Sequence, residues 1–141
     1  MLITSELENY LKKIRAALDK HVINISSDTK EINEYAEILR KWTPGNYVVG
    51  DVRVYNGIPY KCIQTHDSTG NETWNPSVAS LWMQYHGTSI ETARPWVAPT
   101  MAEDIYKTGE YMIWTDGFIY KCLSNTNFSP TDYPSAWERI K

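Results

Sequence analysis

Tyr55 and Trp114 occupy the same place in a motif that the chain writes twice, "VYNGIPYKC" from Val54 to Cys62 and "IWTDGFIYKC" from Ile113 to Cys122. Each closes a short alternating run just before a turn, and successive side chains of a strand point to opposite faces. The alternation sets Tyr55 against Val52 and Val54, and Trp114 against Tyr111 and Ile113, so both rings are expected outside the core. A flat apolar ring with a polar handle suits stacking against a sugar ring, or contact with another protein surface. Trp74, His66 and Asp67 fall in the polar loop after the first copy and are candidates to complete such a site. His66 equally suits organising that loop through hydrogen bonds, and Trp74 suits packing within it.

Bond-breaking chemistry has little to work with. Asp51, Glu110, Glu103 and Asp104 sit at strand starts or between the copies rather than in an apolar pocket that would shift their titration. The chain has no glycine-rich phosphate loop, nucleophile elbow or metal-binding helix motif. No cofactor is expected, and the reading is of a protein that is not an enzyme.

The rings need strands to hold them. "GDVRVY" alternates, Asn56-Gly57 supplies a two-residue turn that requires positive φ at both positions, and "IPYKCI" returns. The second copy repeats this with "GEYMIW", a turn containing Asp116-Gly117, and "FIYKCL". Tyr47 to Tyr106 and Gly50 to Gly109 are 59 apart, whereas Gly57 to Gly117, Tyr60 to Tyr120 and Cys62 to Cys122 are 60 apart. One residue is therefore inserted in the second turn, where a three-residue loop ending in Gly makes a bulged hairpin. Both copies close on Pro-Ser and a Trp, at Trp82 and Trp137. Tyr60 and Cys62 alternate with Lys61, which places them together on the face expected to build the core.

Units this small cannot bury a large core, so aromatic packing must substitute, with Trp82, Trp137, Tyr60 and Tyr120 as the expected core rings. Cys62 and Cys122 hold equivalent positions in the two copies, which favours two buried free thiols over a disulfide. Neither copy has a CxxC or a nearby His pair, so no metal site is expected.

Ahead of the repeats, Leu11, Leu18, Ile25, Ile32 and Leu39 are seven apart, with Leu7, Ile14 and Tyr35 on the second seam position. Sustained spacing of this kind predicts a coiled coil or a helical bundle. His21 and Asp28 interrupt the seam, and Asp28 followed by Glu31 reads as a capping box. Two arrangements fit: one long helix, oligomerising through the seam, or two helices broken near Ser26 to Thr29 and folded as a hairpin. A helix simply packed on the β units fits the apolar face as well.

Composition narrows the class. The 42% apolar and 22% charged residues lie in the globular range, which excludes wholesale disorder and a membrane span. The net charge of −3 gives no basic patch for nucleic acid. Charged residues interrupt the N-terminal apolar run, so no signal peptide is expected and the chain is expected to be made in the cytoplasm. Six Trp and ten Tyr against two Phe, nearly all after Trp42, point again to amphipathic rings as the working surface.

The ordered set "Y-x-x-G-D-V-x-V-Y-N-G-x-x-Y-K-C-x-Q-T-H", followed by "W-N-P" and "L-W", resembles the carbohydrate-binding modules of family 5/12, the chitin-binding type found on chitinases. It is most like the variants in bacteriophage and prophage virion proteins. Trp42 to Tyr85 carries the pattern, including His66, Trp74, Pro76 and Trp82. Trp96 to Ile140 keeps the strands and the final Trp. The resemblance implies small antiparallel β modules, no catalysis, and sugar binding through exposed rings. Chitin-binding members carry adjacent tryptophans after the second strand, where this chain has Gln64-Thr65 and Ser124-Asn125.

The expected fold is α plus β: an N-terminal α-helical segment, coiled coil or hairpin, followed by two small antiparallel all-β modules. The expected divisions are 1–41 for the helical segment, 42–86 for the first module, 87–95 for a linker and 96–141 for the second module. The function this implies is a virion structural protein displaying carbohydrate-binding-like modules toward a polysaccharide or cell-surface glycan. Its partners would be other virion proteins and copies of itself joined through the helix, with no nucleic acid and no membrane. The alternatives are a purely architectural capsid, head-fibre or tail component, or an accessory module of a polysaccharide-degrading enzyme.

Overall fold

The structure is a computed structural model described over residues 4–141. It opens with two helices, α1 (Thr4–Ile25) and α2 (Thr29–Tyr35). The chain breaks where the sequence supplies capping chemistry. Asp28 has extended φ/ψ of −107°/94°, and its Oδ1 accepts the Glu31 N–H at 3.1 Å. The Asp28 N–H is taken by the Ile25 carbonyl at 2.8 Å, and the Glu31 carboxylate lies 3.8 Å from His21. The heptad therefore does not run as one helix, and the hairpin arrangement is the one adopted.

The break sends the two halves of the seam to different environments. Ile25, Ile32 and Leu39 are buried with Val52, Val54 and Tyr85 in one apolar cluster. Leu7, Leu11 and Ile14 are exposed. His21 sits edge-on to Tyr35, with ring centroids 5.3 Å apart, so it serves the hairpin. No described helix is long and apolar enough to cross a membrane.

The strands in chain order are β1 (Asn46–Tyr47), β2 (Val52–Tyr55), β3 (Ile58–Cys62), β4 (His66–Asp67), β5 (Trp82–Gln84), β6 (Arg94–Pro95), β7 (Tyr111–Ile113), β8 (Ile119–Cys122) and β9 (Trp137–Arg139). One antiparallel sheet has the order β2-β3-β5, with β1 and β4 paired beside it. The other has the order β6-β7-β8-β9, where β6 runs parallel to β7. Arg94 and Pro95, in the stretch read as a linker, thus form an edge strand of the second sheet.

Turn chemistry fixes both registers. Asn56 and Gly57 have φ of 51° and 78°, as a two-residue turn of this hand requires. Gly117, at φ 84°, ends a three-residue loop closed by Trp114 N–H to Phe118 O at 3.0 Å. Cys62 lies opposite Trp82 and Cys122 opposite Trp137. The Gly50 and Gly109 N–H groups each reach the carbonyl of their cysteine at 2.9 Å.

The register corrects the expected assignment of faces. Arg53 is opposite Tyr60 and Tyr55 is opposite Ile58, so Tyr55 shares a face with Tyr60 and Cys62. Val52 and Val54 occupy the other face, which the helices cover. In the second sheet Met112 is opposite Tyr120, which puts Trp114 on the face of Tyr120 and Cys122. A two-residue turn makes Tyr55 the partner of Ile58, and the rest of the pairing follows from that step.

Each aromatic face has its own core. Tyr47, Cys62, Leu81 and Trp82 form the first, with Trp42, Tyr60 and Val78 against it. Tyr106, Met112, Cys122, Ala136 and Trp137 form the second, with Trp96, Trp114 and Tyr120 against it. Trp82 and Trp137 are buried, as expected, but Tyr60 and Tyr120 are only half-buried. Cys62 and Cys122 are free buried thiols that donate to the Gln64 and Ser124 carbonyls at 3.2 and 3.1 Å.

Buried polar groups join the parts. Arg94 is 8% exposed and donates to the Tyr85 carbonyl and, at 2.6 Å, to Asn33 Oδ1. The Asn33 amide in turn donates to the His86 carbonyl at 3.0 Å. His86 bonds Glu110 through Nδ1 at 2.8 Å and stacks on Tyr106 with centroids 3.7 Å apart. Glu110 also accepts the Lys107 N–H at 2.8 Å, so this carboxylate, expected at an open strand start, is buried and structural. Gly87 makes the close approach possible, because a Cβ there would stand 2.3 Å from the Thr92 carbonyl oxygen.

Burial pulls the Arg94 guanidinium down to about 10, and hydrogen bonds rather than an ion pair hold it. Arg94→Met keeps the stem and leaves the Tyr85 and Asn33 acceptors without their donor. Urea denaturation should show a loss of about 2–3 kcal/mol. Burial also raises the Cys122 thiol from 9.0 to about 11. The unfolded chain releases that proton first, so the thiol's contribution is complete below pH 9 and is lost as pH rises toward 11. Cys122→Ala should flatten the fall in stability across that window. Ellman's reagent should leave both native cysteines untouched at about pH 8 and titrate both after denaturation.

Candidate functional site

A carbohydrate-recognising surface needs aromatic faces that are held rigidly yet left accessible to solvent. Each sheet offers one such place, where a segment preceding the sheet crosses beside its first hairpin strand. The Trp42 N–H bonds the Val54 carbonyl at 2.8 Å, and the Trp96 N–H bonds the Ile113 carbonyl at 2.9 Å. Backbone pairing therefore delivers an indole next to the last residue of each strand run.

That residue is Tyr55 in the first sheet and Trp114 in the second. Trp42 meets Tyr55 edge-to-face, with centroids 5.7 Å apart and planes at 86°. Trp96 meets Trp114 in the same way, at 5.6 Å and 85°. All four rings are half-buried. Each pair thus sets two half-buried rings nearly at right angles, an arrangement termed a notch below.

Polar groups adjoin each notch. Tyr60 follows Tyr55 on the first sheet's face, with Gln84 opposite it in register. Burial, more than the Gln84 hydrogen bond, sets the Tyr60 phenol and raises it above its ordinary value. In the second sheet Tyr120 donates to Asp116 Oδ2 at 2.6 Å, and Arg139 lies opposite Tyr120. The Tyr120 hydroxyl holds the Asp116 carboxyl below the usual carboxylate range. The Arg139 guanidinium stands 4.4 Å over the Phe118 ring. An ionised Asp116, an Arg and phenol hydroxyls are the donors and acceptors that sugar hydroxyls require.

Trp96 is the better anchored of the two floor rings. It stacks on Tyr106 at 4.9 Å and 12°, and meets Trp137 edge-on at 6.1 Å. The Trp137 indole donates to the Phe128 carbonyl at 3.0 Å, whereas the buried indole nitrogens of Trp42 and Trp82 have no acceptor among the described residues.

Of the residues expected to bind, Tyr55 and Trp114 lie on the aromatic faces, half-buried rather than free. Trp74 is 45% exposed, in a loop organised by Asn71, whose Oδ1 accepts the Thr73 N–H at 3.1 Å. Among the described residues Trp74 has no aromatic ring partner. His66 packs against Tyr47 and Trp82, with centroids 5.9 and 5.7 Å away, and its Nδ1 lies 2.6 Å from the Gln64 carbonyl. That contact makes it an organiser of the loop. Gln64 and Thr65 are exposed, and the Thr65 hydroxyl accepts the Val49 N–H at 3.3 Å.

Trp42 and Trp96 were legible only as the residues that begin each copy. They are 54 apart where the strands that follow are 59 apart, so counting along the repeat does not align them. Their shared signal is a Trp shortly before the repeated Tyr of each copy, Tyr47 and Tyr106.

Residues 41–83 match the model of carbohydrate-binding module family 5/12. No curated protein sequence matches the chain. Among solved structures, a family GH18 chitinase from Chromobacterium violaceum is similar at 31% identity, with a TM-score of 0.31. That match covers 43% of this chain and 16% of the chitinase. Helices and small sheets thus accompany the segment, residues 41–83, that matches the family model.

Proposed function

We propose that this chain binds polysaccharide or cell-surface glycan without catalysis, through the two aromatic notches Trp42–Tyr55 and Trp96–Trp114. The observation that carries the reading is the family match over 41–83, which contains the first notch entire. The second notch repeats its ring geometry to within 0.1 Å and 1°. On this reading the chain is a helical segment followed by tandem modules at 42–86 and 96–141. Trp74 offers a further ring at the loop, and His66 holds that loop in place.

Half-buried rings give shallow contacts, and shallow contacts give weak affinity. Copies displayed together on one particle would raise it by effective concentration alone. Display on a bacteriophage or prophage virion, after synthesis in the host cytoplasm, is the setting we propose. The family resemblance of the repeated motif supports it.

A second reading makes the chain architectural, with the same faces serving as contacts inside a capsid, head fibre or tail. The exposed apolar residues of α1 favour assembly of that kind.

Glycan-array binding separates the two. The full chain should bind at least one polysaccharide class, and Tyr55→Ala and Trp114→Ala should each lower that affinity about 3- to 10-fold with assembly unchanged. Absence of binding to every glycan, together with loss of assembly in either variant, would leave only the architectural role.

A further inference from the structure

The N-terminal half of α1 carries an apolar stripe with nothing beneath it. Every residue from Thr4 to Ile14 is exposed, and Leu7, Leu11 and Ile14 are 44%, 54% and 51% exposed. Leu18 and the 52% exposed Ile38 continue the stripe into an apolar groove at the base of the helix. Most helix stability in proteins comes from packing an apolar face, and this half of α1 has no such packing among the described residues. The base itself is fixed. Arg40 holds Asp19 through two bonds of 3.0 and 2.9 Å, and Arg15 donates to the Ile38 carbonyl at 2.8 Å.

We propose that α1 pairs with α1 of a second copy of this chain, antiparallel, about a two-fold axis passing between Leu11 and Ile14. Leu7, Leu11, Ile14 and Leu18 occupy the two seam positions of a heptad. Antiparallel packing sets Leu7 against Leu18 of the second copy, and Leu11 against Ile14 of the second copy. A two-fold contact of this kind is self-complementary, each layer occurring twice.

Charge selects the direction. Glu8 and Arg15 share one flanking heptad position, and antiparallel helices bring that position against itself, so Glu8 meets Arg15 of the second copy at both ends. More broadly, Glu6 and Glu8 lie in the first part of the helix, while Lys12, Lys13 and Arg15 follow. A parallel pair would set like beside like. Size agrees on the opposite flank, where 61% exposed Tyr10 and small Ala17 share a position and would pack ring on methyl. The body of each chain joins the C-terminal end of α1, so the two bodies fall at opposite ends of the pair.

Sedimentation equilibrium of the full chain should give twice the chain mass. Leu11→Glu should give the monomer mass with an unchanged near-ultraviolet dichroism spectrum, and Leu7→Asn serves as a second variant should Leu11→Glu disturb the fold. Mixing Leu7→Cys with Leu18→Cys chains under oxidation should yield the mixed disulfide, with little self-linking of Leu7→Cys alone. Glu8→Lys should weaken the dimer about fivefold. A wild-type monomer at the highest soluble concentration, a dimer that survives both core variants, or efficient self-linking of Leu7→Cys would overturn the proposal.

Discussion

A three-stranded sheet has two faces, and what covers each one governs the rest of this molecule. In the first sheet, the Val52 and Val54 face receives Ile25, Ile32 and Leu39 from the helical hairpin. The opposite face closes over Tyr47, Cys62, Leu81 and Trp82, which together are too few to enclose the neighbouring rings. Trp42, Tyr55 and Tyr60 are therefore left half-covered at its margin. The surface proposed to bind is thus the unfinished edge of a small core, and its rigidity comes from the strand pairing behind it.

The second sheet reaches the same state by another route. Neither α1 nor α2 contributes to its core, and Trp96 stacks on Tyr106, which stacks in turn on His86. His86 is bound to Glu110, and its backbone carbonyl is bound to Asn33 of α2. The aromatic column of the second sheet is thereby tied to the helical hairpin through buried polar groups. Such groups are costly when only partly satisfied, so this junction specifies one arrangement of sheets and helices. The floor of the second notch inherits its position from that junction.

Much of this was legible in the sequence. The duplicated hairpins, the turn at Asn56-Gly57, the inserted residue before Gly117, the buried Cys62 and Cys122 and the cap at Asp28 all follow from local rules. The face of Tyr55 was legible too, since a two-residue turn pairs Tyr55 with Ile58 and so aligns Tyr55 with Tyr60. Alternation alone separates Tyr55 from Val52 and Val54, and the face of the two valines is the one expected to be core. They are core, but of a different cluster, and only the helices' position reveals it. The burial of His86, Arg94 and Glu110 was not legible, because it arises where three separate elements meet. The partnership of Trp96 with Trp114 depends on the parallel edge strand β6, which has only two residues and no sequence period.

The margins of the two aromatic faces are the places proposed to bind glycan. The indole N–H resonances of Trp96 and Trp114 report on the second of those margins, while those of Trp82 and Trp137 report on the cores beneath. Titrating the full chain with a soluble oligosaccharide of the class it retains, followed by nitrogen–proton correlation spectra, should move the first group and leave the second nearly still. Shifts confined to Trp74, or none at saturating sugar, would rule out binding at the aromatic margins.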